Sequence, residues 1–139
     1  MSMEEKLLEL RFPAKAERLT LVRALVRRAS QTVGCNNDLT EKLVIAVNEA
    51  CMNVIQHAYG GEGTGEIVLE IYHTGLQIRF RLVDYADPVD LDKIKSRDLD
   101  DIRPGGLGVH FITEIMDEFK IGHLEGGNGN YLDMCKTIA

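Results

Sequence analysis

The sequence has little of several features that mark common classes of protein. It contains no tryptophan, only three prolines, and three cysteines that lie far apart, at Cys35, Cys51 and Cys135. An odd number of cysteines without a CxxC pair predicts neither a disulfide framework nor a zinc site, so buried thiols are the favoured interpretation. No run of about 18 apolar residues is present, so no membrane span is predicted. The N-terminal segment MSMEEKLLELRF lacks the apolar region of a signal peptide, and a cytoplasmic location is expected.

An excess of positive charge is also missing. The chain has 16 Lys and Arg against 22 Asp and Glu, a net charge of −6 at pH 7. This balance argues against a direct nucleic-acid partner, because such binding depends on a basic surface that neutralises phosphates. Any anionic ligand must be bound by local groups, since the overall field repels it. The 139 residues, 45% hydrophobic and 27% charged, predict one globular domain spanning 1–139.

The hydrophobic pattern predicts an α+β fold. Apolar residues recur at helical spacing in some segments and alternate in others. The predicted helices span 14–33, about 38–59, and the segment that follows the glycines at 105–108. The predicted strands span 7–12, 66–75, 76–83, 119–124 and 131–138. Because the later strands come as hairpins, we expect a two-layer sandwich, in which a mostly antiparallel mixed sheet has helices packed on one face.

The second predicted helix contains the segment NEACMNVIQH, residues 48–57. Its Glu49, Asn53 and His57 are four residues apart, so they lie along one stripe of a helix. An adjacent stripe is apolar and is predicted to face the core: Leu43, Val47, Ala50, Cys51, Val54 and Ala58. The amide oxygen of Asn53 is of the kind that Mg²⁺ prefers, and a carboxylate such as Glu49 can accept a proton. Each residue taken alone is more often structural, but together they suit the wall of a pocket.

Two loops also carry candidate binding groups. In VDYADP, residues 83–88, the carboxylate of Asp84 at a strand end could accept a hydrogen bond from an exocyclic amine. An Asx-turn ahead of Pro88 is an equally good interpretation of this stretch alone. In GGLGVHFI, residues 105–112, glycines before a helix allow backbone N–H groups to approach an anion. The loop is neither a P-loop nor a Rossmann turn.

The three segments in this order resemble the GHKL (Bergerat-fold) ATPases. Glu49, Asn53 and His57 are similar to the N box of that family, residues 84–88 (DYADP) to its first glycine box, and residues 105–108 (GGLG) to its second. The pattern is most similar to the anti-sigma-factor serine kinases of bacterial partner-switching systems. The FPAKAERLTLVRALVRR opening follows the same subfamily, so the resemblance covers nearly the whole chain.

This resemblance implies a role for each matching residue. Asn53 would bind Mg²⁺ and bridge it to the ATP phosphates, and His57 could be a helix cap, a packed core histidine or a phosphate neighbour. Asp84 would accept from the adenine amine, in a loop completed by Ala86 and Pro88. The residues expected around the phosphates are Gly105, Gly106, Leu107, Gly108 and Val109. The polar segment 84–104 is predicted to be a mobile surface segment that acts as a lid, from which Arg103 would reach the phosphates. Glu49 would orient and deprotonate the acceptor serine.

The resemblance also implies a function and partners. The chain would be an ATP-dependent protein serine kinase that phosphorylates a STAS-type anti-anti-sigma factor and sequesters a sigma factor, and a homodimer is expected. The alternative is a non-catalytic nucleotide-binding module that acts only by capturing partners. A third interpretation is the ATP-binding domain of a sensor histidine kinase, for which the segment 89–104 is short. The presence of Glu49 favours the kinase, because ATP binding alone does not require this residue.

Two positions depart from the family pattern. The usual glycine of the first glycine box is Ala86, whose methyl group would crowd the approach of the backbone to adenine. The last strand of the family often carries a threonine or a similar small polar residue near the nucleotide, where this chain has Asp133 in NYLDMCK. A carboxylate there would repel phosphates, so Asp133 is expected to point away from the pocket.

Overall fold

The structure is a computed structural model that describes residues 3–88, 90 and 109–138. In this part of the chain the strands are β1 (Glu5–Pro13), β2 (Glu66–His73), β3 (Gln77–Asp84), β4 (Glu118–His123) and β5 (Asn130–Thr137). The α-helices are α1 (Leu19–Thr32), α2 (Asn37–Asn53) and α3 (Val109–Ile115). The predicted elements are therefore present, with bounds that differ by a few residues.

The five strands form one sheet in the order β1-β2-β3-β5-β4, and each neighbouring pair is antiparallel. Alternate residues such as Leu69 and Phe80 are fully buried on the face that packs against the helices. The opposite face is charged, and there Arg79 and Arg81 each contact one carboxylate oxygen of Asp133, at 2.8 and 3.0 Å. The predicted two-layer α+β sandwich is confirmed, and Asp133 lies on the face away from the helices, as expected.

Helix α2 packs between α1, α3 and the sheet. It buries the central part of the predicted apolar stripe completely, namely Leu43, Val47, Ala50 and Cys51. The helix begins after Asn36, whose side-chain oxygen accepts a hydrogen bond from the Leu39 N–H at 2.9 Å. The predicted start at about residue 38 is thus slightly late, because the side chain of Asn36 already satisfies a free N–H group of the first turn.

Helix α1 is joined to α2 by two polar contacts. Arg27 donates to both carboxylate oxygens of Glu41, at 2.8 and 3.0 Å, and Arg23 donates to Asn48 Oδ1 at 2.9 Å. Asn48 directly precedes Glu49, so the second contact anchors the α2 turn that presents the Glu49 carboxylate. Exposed ion pairs contribute little stability, and we assign these contacts a role in alignment.

The helix after Asn53 is not the regular α-helix that the sequence predicts. Val54–Ala58 form one π-helical turn, in which the Tyr59 N–H donates to the Val54 carbonyl at 3.0 Å. Because a π turn holds more residues than an α turn, His57 is displaced from the position that a regular α-helix would give it. His57 is exposed, whereas Glu49 and Asn53 are both half-buried.

We predict that Leu69→Ala lowers the free energy of unfolding by about 2–5 kcal/mol, because Leu69 is fully buried in the central sheet and truncation leaves a cavity. The matched control is Leu21→Ala, since Leu21 is 67% exposed and should change stability by less than about 0.5 kcal/mol. Urea unfolding of both variants measures the difference. Equal midpoints for the two variants would contradict the described core.

Candidate functional site

Asp84, the last residue of β3, is a buried carboxylate with 3% of its surface exposed. Its Oδ1 accepts hydrogen bonds from the Ala86 N–H at 3.0 Å and from Asn130 Nδ2 at 2.9 Å. The first bond is the Asx-turn that the sequence also allowed. The second carboxylate oxygen, Oδ2, makes no hydrogen bond with a described residue, so it can accept one from a ligand.

Asn130 is a residue that the sequence interpretation missed. It opens β5 directly opposite Asp84 in the strand register. Its amide nitrogen donates to Asp84 Oδ1 and to the Asp87 carbonyl at 3.1 Å, so it shapes both ends of the Asp84–Asp87 turn. In the sequence Asn130 follows the glycines of GGNGN and is typical of a turn, and only the pairing of β5 with β3 could have indicated its role.

Burial determines the electrostatics of this carboxylate. Desolvation raises the pKa of Asp84, and the hydrogen bonds from Asn130 and the Ala86 N–H offset part of that rise because they stabilise the charged form. The charge is therefore only partly compensated by the protein. An additional donor, such as an aromatic amine, would complete its hydrogen bonding.

Tyr59 joins the first two predicted motifs. Its hydroxyl accepts a hydrogen bond from the Tyr85 N–H at 2.8 Å and donates to the Glu66 carbonyl at 2.5 Å. Tyr59 follows the helix of Glu49 and Asn53, and Tyr85 follows Asp84. The end of that helix and the Asp84 turn thus meet in the structure, although they are 26 residues apart in the chain.

Asn53 has the properties of a ligand-binding group. Its Nδ2 is buried, and its side chain makes no hydrogen bond with a described residue. In residues 3–88, 90 and 109–138 no group of three or more His, Cys, Asp or Glu could hold a metal ion by itself. A Mg²⁺ ion at Asn53 would therefore take most of its ligands from a nucleotide and water, which is the usual chemistry of this ion. The residues present fit such a site.

The structure describes some of the other predicted site residues and leaves the rest outside its described part. Glu49 is half-buried on α2 and makes no hydrogen bond or ion pair with a described residue. Ala86 is buried beside Asp84, and Pro88 is exposed. Val109 begins α3, which packs against α2. The remaining predicted residues lie outside the described part of the chain, as does most of the predicted lid segment: Arg103, Gly105, Gly106, Leu107 and Gly108.

A known family matches the segment of the chain that contains Glu49, Asn53 and Asp84. The sequence model for the histidine kinase-like ATPase domain matches residues 12–136. The chain belongs to this family. The match runs from the end of β1 into β5 and includes the segments of Asn53 and Asp84, so the predicted membership of the GHKL ATPases is confirmed.

Curated members of the family are similar over most of their length. The serine-protein kinase RsbW of Bacillus velezensis is 32% identical over 147 aligned positions, which cover 99% of this chain and 89% of that protein. The serine-protein kinase RsbW of Bacillus thuringiensis is 33% identical over 129 positions, which cover 86% of this chain and 79% of that protein. These relatives support the predicted subfamily of anti-sigma-factor kinases.

Two solved structures share the fold. A chain in the crystal structure of the SiaB–SiaC complex from Pseudomonas aeruginosa superposes with a TM-score of 0.66 at 12% identity, covering 96% of this chain and 91% of that chain. The nucleotide-free catalytic domain of histidine kinase ThkA gives 0.59 at 14% identity, covering 95% and 97%. The predicted Bergerat-type fold is therefore confirmed. Among the described helices, none has the length and apolar character needed to cross a membrane.

We predict that Asp84→Asn raises the stability of the ligand-free protein at pH 7 by on the order of 1 kcal/mol. An asparagine oxygen keeps the bonds to Ala86 and Asn130, but the buried charge is removed. The raised pKa means that Asp84 favours folding while it is protonated, and that this stability is lost as the pH rises through its folded pKa. Melting temperatures of both proteins between pH 7 and pH 4 should converge towards the acid end. A difference in melting temperature between the two proteins that does not depend on pH would contradict this explanation.

Proposed function

We propose that this protein is a Mg²⁺- and ATP-dependent serine kinase that phosphorylates a STAS-type anti-anti-sigma factor and sequesters a sigma factor. The enzyme class, a protein serine/threonine kinase, is supported by relatives named as serine-protein kinases that align with nearly the whole chain. The observation that carries the proposal is the contact of Tyr59 with Tyr85. It brings the Asp84 carboxylate, which has one oxygen available, to the end of the helix that bears Glu49 and Asn53.

The described side chains have different roles in phosphoryl transfer. Asp84 Oδ2 accepts from the adenine amine and orients the base, because its other oxygen is fully used within the protein. Asn53 supplies an amide oxygen to the metal, which neutralises charge on the phosphates when it is bound. Phosphoryl transfer needs mainly positioning and charge stabilisation, so a small number of well-placed groups is sufficient.

Glu49 is assigned as the general base. Its carboxylate lies one helical turn before Asn53 and makes no ion pair with a described residue, so it can accept a proton from an incoming serine hydroxyl. A module that only bound nucleotide would not need a carboxylate there. This residue distinguishes the kinase from the alternative, a non-catalytic module that acts by partner capture.

The partners follow from the subfamily that the sequence resembles. A STAS-type substrate and a sigma factor are its characteristic partners, and the proposal adopts both. The predicted homodimer and the cytoplasmic location rest on the resemblance and stay predictions.

We predict that ATP binds more tightly with Mg²⁺ than without it, and that Asn53→Ala abolishes this difference with a loss of about tenfold or more in affinity, which equals roughly 1.4 kcal/mol. Isothermal titration with and without Mg²⁺ measures both effects. The control is Asn37→Ala, at the exposed opposite end of the same helix. Absence of ATP binding by the wild type at millimolar concentration would overturn the proposed function, and a Mg²⁺ effect that survives in Asn53→Ala would overturn the role of Asn53.

We predict that Glu49→Gln retains ATP affinity within about twofold but lowers the rate of phosphotransfer to a STAS domain by about 10²–10⁴, the usual contribution of a general base. The rate is measured from the formation of phosphoserine. Glu41→Gln is the matched control, because Glu41 lies on the same helix and pairs with Arg27 on the exposed surface. Equal rates for wild type and Glu49→Gln would remove the base assignment, and binding without transfer by the wild type would favour the partner-capture module.

A further inference from the structure

We propose that Tyr59 is a positioning residue whose hydroxyl sets the place of Asp84 and thereby the selectivity of the site for the adenine amine. This inference rests on the proposed binding of ATP and adds a residue to it. Tyr59 lies outside the three motifs of the family pattern. Its role is derived from its contacts with the backbone at the end of the β2–β3 ladder.

The ring of Tyr59 is fixed by close packing against Gly65. A Cβ atom placed on Gly65 would lie 2.5 to 2.8 Å from three carbon atoms of the ring, so a side chain at this position would collide with it. The ring therefore stacks directly on the backbone just before β2. This packing decides where the hydroxyl points, independently of the hydrogen bonds that the hydroxyl makes.

The hydroxyl takes the place of the next rung of the β-ladder. The register of β2 and β3 pairs Ile67 with Asp84, so Glu66 and Tyr85 are the next opposed positions. The Tyr59 hydroxyl accepts from the Tyr85 N–H and donates to the Glu66 carbonyl, and it thereby bridges these two positions. The inserted oxygen keeps the two backbones apart immediately after Asp84. Without the hydroxyl, the Tyr85 N–H could donate directly to the Glu66 carbonyl, and this bond would draw Tyr85 towards β2.

The opposite side of Asp84 is held by β5. A Cβ atom on Gly129 would lie 2.2 Å from the Asp84 carbonyl oxygen, and Asn130 donates to Asp84 Oδ1. Asp84 is therefore held between β5 on one side and the Tyr59 hydroxyl on the other. Burial raises the pKa of the Tyr59 hydroxyl, so it keeps the proton that it donates to Glu66 at neutral pH. The position of Asp84 Oδ2 depends on both supports.

The test is Tyr59→Phe, which removes only the hydroxyl and keeps the ring that packs on Gly65. Affinities for ATP and for purine riboside triphosphate, which lacks the 6-amino group, are measured by titration in Mg²⁺. Wild type should prefer ATP by about tenfold or more. In Tyr59→Phe the affinity for ATP should fall towards that of the analogue, while the affinity for the analogue changes by less than about twofold. Tyr72→Phe is the control, because its hydroxyl bonds Glu70 at 2.9 Å on the other face of the sheet.

The outcomes separate a positioning role from a structural one. An equal loss of affinity for both ligands, or an unchanged preference for ATP, would overturn the inference and leave the proposed function intact. Failure of the wild type to bind ATP would overturn the proposed function itself. If Tyr59→Phe does not fold, Gly65→Ala replaces it. The added methyl group pushes the ring and its hydroxyl out of position, so the same loss of preference is expected and a retained preference refutes the role.

Discussion

Burying the Asp84 carboxylate at the end of β3 is unfavourable, and the surrounding structure offsets only part of that cost. Asn130 and the Ala86 N–H both donate to Oδ1, so this oxygen is satisfied within the protein and Oδ2 is available to a ligand. A fully satisfied carboxylate would make a more stable protein with nothing left to bind a ligand. This conflict between stability and binding is common at functional sites.

The helix layer reaches the Asp84 turn because the helix changes from α to π geometry after Asn53. Regular α-helix up to Asn53 buries an apolar stripe and presents Glu49 and Asn53 at its edge. The π turn that follows widens the helix and carries Tyr59 to the end of the β2–β3 ladder. A regular α-helix to the same residue would direct the tyrosine elsewhere, because each wider turn rotates all later side chains. The irregular turn is thus what connects the helix layer to the sheet at the site.

The sequence predicts the parts of this structure that depend on local patterns. The apolar stripe of α2 and the β2–β3 hairpin follow from periodicity, and the order of three motifs identified the family. The π turn was missed because it does not change the apolar spacing before Asn53. Asn130 was missed because its partner Asp84 is 46 residues away, and Tyr59 because its partner Tyr85 is 26 residues away. Long-range pairings of single polar groups leave no periodic signal in one sequence.

The sheet order places Asp84 and Asn130 where two β-hairpins pair with each other. The hairpin β2–β3 supplies Asp84 and the hairpin β4–β5 supplies Asn130, and the two hairpins pair with each other only through β3 and β5. A molecule that contacted both Asp84 and Asn130 would therefore hold the β4–β5 hairpin to the rest of the sheet. By mass action, it would make partial unfolding of the β4–β5 hairpin rarer as its concentration rises. The resistance of this hairpin to proteolysis would then rise with the concentration of the bound molecule.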